Sequence, residues 1–329
     1  MYLEIYSELP QQLLTMAETP AMQRLKHVGM HCGCEYTAYP IYRDALAPYS
    51  RYTHSLGTAA IVWHFTHDLK QAVAGLLHDI ATPAFAHVVD FLNGDHLRQE
   101  STESRTRAMI ASSPELMALL DKGGLTIDDV DDYHRYPIAD NDSPRLSADR
   151  LEYTLGNAVN YGFITVEQAR SFYRDLTVVP NEEGVPELAF RTRETASAFT
   201  EAALDCARVY VADEDRFAME ALAALLRRAL DRGVLKRADL MGTEPEVIAR
   251  LSADPVCGPL WKQFRSFSRL RRAAEQPTDG NWIRIGAKLR WILLAGVGRV
   301  SRWNEDLAAK MADFRRTDFS IWLSGEPEI

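Results

Sequence analysis

His78 and Asp79 stand side by side at the end of the apolar run Ala72-Val73-Ala74-Gly75-Leu76-Leu77. An imidazole and a carboxylate closing a buried helix put one nitrogen and one oxygen ligand at a single point in the core. Two further candidate ligands bracket the pair: His54 in Arg51-Tyr52-Thr53-His54-Ser55-Leu56-Gly57, and Asp149 in Ser147-Ala148-Asp149-Arg150-Leu151-Glu152-Tyr153. Two imidazoles and two carboxylates are a borderline-hard set that suits one divalent ion: Mn²⁺, Fe²⁺, Zn²⁺, Ni²⁺ or Mg²⁺. Such an ion activates water and clamps phosphate oxygens. Taken singly, each His reads as a satisfied core residue and each Asp as a helix cap or a solvated charge.

The elements that must position these residues are mostly helices. Thr19-Pro20 is a cap with proline at the first helical position, which predicts a helix over 20–29. Residues 31–50, with Gly33, Pro40 and Pro48, read as loop. Small and apolar residues at helical spacing predict core helices from His54 to about Leu69 and from Gln71 to Asp79. Thr82-Pro83 interrupts that pattern, which resumes over 84–92 until the turn signal Asn93-Gly94-Asp95. Further helices are expected at 100–111, 114–121 and 126–132. A loop over 137–148 feeds the helix that carries Asp149. Leu176–Pro180 and Pro186–Phe190, joined by Asn181-Glu182-Glu183-Gly184, predict a hairpin. Glu194 to Leu230 reads as one long helical stretch ending at Gly233, with shorter helices at 244–253 and 255–275. Arg284–Arg290 fits a basic strand or a helix equally well.

The 329 residues can bury a large core, and 47% apolar with 25% charged residues is an ordinary globular balance. Four scattered cysteines do not make a disulfide framework and fit a reducing cytosol. Cys32-Gly33-Cys34 is half of a metal-binding pattern with no second cysteine pair to complete it. The first residues lack a basic then apolar leader pattern, and the run Trp291–Gly298 is too short to span a bilayer. A soluble cytoplasmic protein is therefore expected, with no membrane partner. The formal charge of −9 argues against general nucleic-acid binding, although a local cluster of arginines and a metal can still attract a small anion.

Several motifs occur in one order: Thr19-Pro20, Gln23-Arg24-Leu25, Arg51 to Gly57, Leu76-Leu77-His78-Asp79-Ile80, Phe85-Ala86-His87-Val88-Val89-Asp90, and Asp149 to Tyr153. The set resembles the HD-domain metal-dependent phosphohydrolases, and among them the dGTPase-like deoxynucleoside-triphosphate triphosphohydrolases. The resemblance covers residues 15–160 well and continues faintly to Thr243–Val247. It implies a mainly α fold: an HD helical bundle over 1–175, followed by a mostly helical extension over 176–329 with a small β-hairpin, packed on the core as one unit. It also implies that His54, His78, Asp79 and Asp149 hold one metal ion, and that the protein is a homodimer or larger. Arg51 falls at the family's phosphate-contacting arginine, Arg150 at its triphosphate-gripping lysine, and Tyr153 at a tyrosine near phosphate or sugar. His87 and Asp90 match a pocket histidine and aspartate, an acid–base or orienting pair.

The chain departs from that pattern in two places. The family run His-Asp-Leu/Ile-Gly-His-Gly-Pro-Phe-Ser-His is here His78-Asp79-Ile80-Ala81-Thr82-Pro83-Ala84-Phe85-Ala86-His87, so Thr82 replaces a catalytic histidine. A His-Glu pair further on becomes Gln99-Glu100, with His96 nearby. Thr82 and Gln99 then become candidate substrate contacts and Glu100 a candidate catalytic carboxylate. General acid help of the missing kind is worth about 10²–10⁴ in rate. The expected activity is metal-dependent hydrolysis of a nucleotide or related phosphate ester, with metal-activated water attacking phosphorus. Two alternatives have different chemistry. One is an altered protein serving as a nucleotide sensor or interaction module. The other is a di-iron oxygenase recruiting His87, His96 or His134.

Overall fold

Apolar side chains at helical spacing carry most of the chain into helices, with two small antiparallel β pairs at its margins. The computed structural model describes residues 2–6, 8–43, 48–93, 105–278, 281–288 and 298–327. Residues 94–95 of the expected turn, the residues Gln99, Glu100 and His96, and most of the run 291–298 lie outside the described residues.

Six helices position the site. Helix α1 spans Arg51–Thr66, α2 Leu69–Leu77, α3 Val88–Asn93, α4 Ala148–Asn160, α5 Arg193–Tyr210 and α6 Asp213–Asp231. Each of the first two starts on a side-chain cap: Ser50 accepts from the Thr53 amide, and Asp68 from those of Lys70 and Gln71. Ser147 caps α4 by accepting from the Arg150 amide. Helix α1 packs against both α2 and α4, and α6 packs against α3. One apolar core gathers around α1, α2, α4 and α5, with Leu56, Ile61, Leu76, Leu151 and Phe199 at its centre. A second gathers around α3 and α6, joining Phe85, Val88, Leu222, Leu226 and Trp261.

The expected hairpin forms over β1 (Leu176–Pro180) and β2 (Pro186–Phe190), paired Leu176 to Phe190 through Pro180 to Pro186. Several expectations change. The predicted 20–29 helix is α-helical only over Pro20–Gln23 and tightens to a 3₁₀ turn over Arg24–His27. The segment 126–132 likewise holds only a 3₁₀ turn, Ile127–Asp129. The stretch 194–230 is broken at Val211-Ala212 into α5 and α6. The acidic Asp213, Glu214 and Asp215 open α6, where the helix dipole favours them. Residues 255–275 split into a helix, Cys257–Ser266, and a strand, β3 (Phe267–Ala273). Strand β3 pairs with β4 (Trp322–Pro327), whose sequence distance hides the pairing from any local pattern. Within the ambiguous basic segment no helix or strand forms among the described residues, although its neighbour Ile283 bridges to Leu323.

Two glycines set the close crossing of α1 and α4. A Cβ on Gly57 would lie 2.6 Å from the Glu152 carboxylate, and one on Gly156 would lie 2.2 Å from the Tyr49 hydroxyl. The missing side chains leave room for a polar cluster inside the helix packing. Gly57→Ala is therefore expected to lower folding stability by about 1–3 kcal/mol, because the buried carboxylate has no free space to move into. Denaturant unfolding checks this, and an unchanged midpoint would contradict it.

Candidate metal centre and its cavity

Three helix ends meet at the site. His54 lies in the first turn of α1, His78 at the C-terminal end of α2 with Asp79 next to it, and Asp149 in the first turn of α4. His54 Nε2 lies 3.1 Å from His78 Nε2 and 3.0 Å from Asp149 Oδ1. His78 Nε2 lies 3.7 Å from Asp149 Oδ1 and 3.7 Å from Asp79 Oδ2. Asp79 Oδ2 faces the same point, 3.8 Å from His54 Nε2. His54, His78 and Asp149 form a group whose ligand atoms all lie within 4.8 Å of one another. Ligand atoms about 2.1 Å from a common ion lie roughly 3 Å apart when adjacent, which matches these separations.

The tautomers make the fit stronger. His78 Nδ1 lies 2.7 Å from the Gly75 carbonyl, which can only accept, so Nδ1 carries the proton and Nε2 a lone pair. His54 Nδ1 lies 2.5 Å from Glu152 Oε2, so in the neutral ring its Nε2 also presents a lone pair. Two lone pairs and a carboxylate oxygen then converge with a cation required between them. A carboxylate or carbonyl behind each ligating imidazole is the usual support of a metal site. Without a metal a proton fills that role. Burial alone would push His54 below its ordinary value, but its bonds to Asp149 and Glu152 prevail and raise it to about 10. Burial opposes the charges of Asp79 and Asp149 as well. Arg51 and the two histidines hold Asp79 well below the usual carboxylate range, and hydrogen bonding to His54 does the same for Asp149.

Asp79 is fixed from two sides. Arg51 donates to its Oδ2 at 2.9 Å, and the Thr82 hydroxyl donates to its Oδ1 at 2.6 Å. Thr82, at the position where the resemblance places a histidine, thus orients a candidate ligand. The buried Arg51 Nε has no hydrogen-bond partner among the described residues, and the Arg51 side chain lines the cavity.

These residues line one cavity of about 460 Å³, together with His87, Tyr133, His134, Tyr153 and Tyr161. His87 Nδ1 lies 2.9 Å from the buried Asp90 carboxylate. The turn that presents His87 holds Phe85 and Ala86 at φ of 63° and 43°, a conformation costing non-glycine residues roughly 1–3 kcal/mol each. Full burial of Phe85 and the bond from its amide to Glu244 Oε1 hold that turn in place.

Arg150 is not part of the lining. Its guanidinium bonds to the Arg145 carbonyl, to the Asn141 carbonyl and side chain, and to Asp140. Helical geometry accounts for this: Asp149, Tyr153 and Asn157 recur every four residues on one face of α4, and Arg150 sits about 100° around from it. That spacing is also the signal by which Asn157 could have been found, since it lines the cavity with a buried Oδ1 lacking a partner. His31 lines it too, with an unpartnered Nε2, and burial lowers its imidazole to about 4. No spacing pattern marks His31, because a loop delivers it. Asp215 lines the cavity as well, pushed up to about 7 by burial. Cys32 and Cys34 are buried free thiols outside the ligand group, and burial drives Cys32 up to about 12.

Two outcomes are expected. Thr82→Val should weaken metal binding about 10-fold or more by freeing Asp79, as supporting hydrogen bonds of this kind do. Metal titration checks it, and equal affinity in both proteins would contradict it. The second concerns Glu35, raised from 4.5 to about 8 by burial and then by the neighbouring Glu244 charge. The folded state keeps that proton longer than the unfolded one. Its contribution is therefore complete below about pH 4.5 and lost as the pH rises through about 8. Between about pH 5 and about pH 9 the melting temperature should fall more steeply in the parent than in Glu35→Gln. Parallel curves would contradict this.

No protein-family model matches the chain. Over 205 residues, 62% of its length, the chain is 29% identical to the uncharacterized protein YdhJ of Bacillus subtilis, of which it covers 61%. Over 132 residues, 40% of its length, it is 30% identical to the metal-dependent phosphohydrolase cns2 of Cordyceps militaris, of which it covers 38%. The chain thus spans less than two thirds of either relative. A solved structure of a hypothetical protein from Aquifex aeolicus superimposes with a TM-score of 0.65 at 14% identity, over 97% of this chain and 93% of that one, a likeness of fold. Part of the chain is thus similar to a metal-dependent phosphohydrolase, and its His-His-Asp group could hold a metal ion.

Proposed function

We propose that the protein is a metal-dependent phosphohydrolase acting on a nucleotide or related phosphate ester. The observation that carries this reading is the convergence of His54 and His78 Nε2 with Asp149 Oδ1 in the wall of a cavity large enough for a nucleoside. His54, His78 and Asp149 would hold the ion, with Asp79 as the fourth ligand. When bound, such an ion supplies water acidic enough to serve as hydroxide near neutral pH and neutralises a phosphate oxygen.

The chain's own groups do the rest. Glu152 and the Gly75 carbonyl keep both imidazoles turned with Nε2 towards the centre. Arg51 stays on Asp79 and lines the cavity, where its guanidinium charge suits a phosphate. Tyr153, Tyr161, Tyr210 and Phe91 give the cavity aromatic walls that suit a base or another flat ring. His87, backed by Asp90, is placed to hold or move a proton.

Three features favour a singly phosphorylated substrate over a triphosphate. Position 82 carries a threonine engaged with Asp79, Arg150 is engaged outside the cavity, and Asp131 and Asp132 add negative charge to the lining. Among the described lining residues a polyphosphate chain would meet only Arg51, Arg216 and Lys288 as arginine or lysine cations.

The test measures metal content and phosphate release with Mn²⁺ across nucleoside mono-, di- and triphosphates. Asp149→Ala is expected to lose bound metal and hydrolysis together. Full metal content in that variant would remove Asp149 from the ligand set. A metal-loaded parent that binds nucleotides and releases no phosphate would replace the enzyme reading with that of a sensor.

A further inference from the structure

We infer that His134, oriented by Asp140, is the proton donor to the leaving oxygen, and that the substrate is therefore an ester with an alkoxide leaving group. The inference deepens the phosphohydrolase reading and rests on it. His134 comes from the 3₁₀ turn Tyr133–Arg135, remote in sequence from the His78-Asp79 run, yet it lines the same cavity. Its Nδ1 lies 2.7 Å from Asp140 Oδ2, which puts Nε2 on the opposite edge of the ring. The pair has the form of a histidine held by a buried carboxylate, the arrangement that fixes a tautomer and supports the protonated ring.

Both ends of the pair are tied to the metal-binding elements. Asp140 is buried, and its Oδ1 accepts from the Ser147 hydroxyl at 3.0 Å and from Arg150 at 3.0 Å. Ser147 caps α4 and Arg150 adjoins Asp149, so the carboxylate that aims His134 is anchored to the helix that carries a candidate ligand. On the other side the His134 ring lies 4.4 Å from Tyr133, and the Tyr133 ring lies 4.9 Å from His78. His134 thus stands one aromatic ring away from a ligand. Arg150, unavailable to phosphate in this geometry, becomes part of the support for a proton donor.

That separation suits the chemistry. In an in-line displacement the leaving oxygen lies on the far side of phosphorus from the attacking one. A donor for it belongs a phosphate's width away from the ligands, not beside them. As the water oxygen bonds to phosphorus, the P–O ester bond breaks and its electron pair goes to the leaving oxygen. That oxygen takes the Nε2 proton of His134. The ring is left neutral and regains a proton from solvent, which its half-exposed side chain can reach. An anhydride, whose phosphate leaving group is already a stable anion, would gain little from such a donor.

The experiment compares the metal-loaded parent, His134→Gln, Asp140→Asn and His87→Gln on a nucleoside 5′-monophosphate and on 4-nitrophenyl phosphate, whose leaving group needs no proton. Metal content is measured by elemental analysis in each protein. His134→Gln should retain its metal, lose about 10²–10⁴ in kcat on the nucleotide, and lose less than about 10-fold on the nitrophenyl ester. Asp140→Asn, a change at a positioning residue, should show the same selectivity with a smaller loss. Equal losses on both esters, loss of metal from His134→Gln, or leaving-group selectivity in His87→Gln but not in His134→Gln would overturn the assignment. A metal-loaded parent that hydrolyses neither ester overturns the phosphohydrolase reading itself, and this assignment with it.

Discussion

Two imidazole nitrogens 3.1 Å apart, that of His78 fixed as an acceptor by the hydrogen bond behind it and that of His54 an acceptor in the neutral ring, are the constraint on which the site depends. Such a pair repels unless a cation lies between its members. The fold must therefore hold the rings together against that repulsion and keep their outer nitrogens protonated. Glu152 does much of this. It is fully buried, and it bonds to His54 and accepts from Tyr49 at 2.6 Å and Tyr6 at 3.4 Å. A carboxylate inside helix packing is costly unless it is satisfied this fully. The gaps at Gly57 and Gly156 are what let those groups fit between α1 and α4.

An acidic pair, the buried Glu244 and the half-buried Glu35, supports another wall of the cavity. Glu244 accepts from the Gly29 amide at 2.9 Å and the Tyr36 hydroxyl at 2.8 Å, and reaches the Phe85 amide in the left-handed turn before His87. Burial raises both Glu35 and Glu244 above the usual carboxylate range, and the Glu244 charge raises Glu35 further. The loop before α1, the turn that presents His87 and the C-terminal half of the chain are joined at this point. Strain at Phe85 and Ala86 persists because the surrounding packing leaves no other arrangement.

Periodicity locates helices where apolar residues repeat over two or more turns, as in α1 and α2. It fails where a tertiary partner decides. Nothing between residues 255 and 275 signals that Phe267 onward pairs with Trp322–Pro327, and the break between α5 and α6 falls inside a continuous helical pattern. The candidate site divides the same way. Types and order pick out His54, His78, Asp79 and Asp149 because metal chemistry restricts ligands to few residue types. Arg150 and His134 could not be resolved from sequence, since the direction of a side chain around a helix or turn depends on what receives it.

By itself the sequence determined the residue types that can meet at a metal, the helices that carry them and the threonine at position 82. Only the tertiary structure decided that Thr82 holds Asp79, that Arg150 faces Asp140, and that His31, His134 and Asn157 share the cavity with the candidate metal ligands. The physical reason is range. Helix formation and capping are settled within a few residues, whereas a cavity is the meeting of side chains whose separation along the chain places no bound on their separation in space.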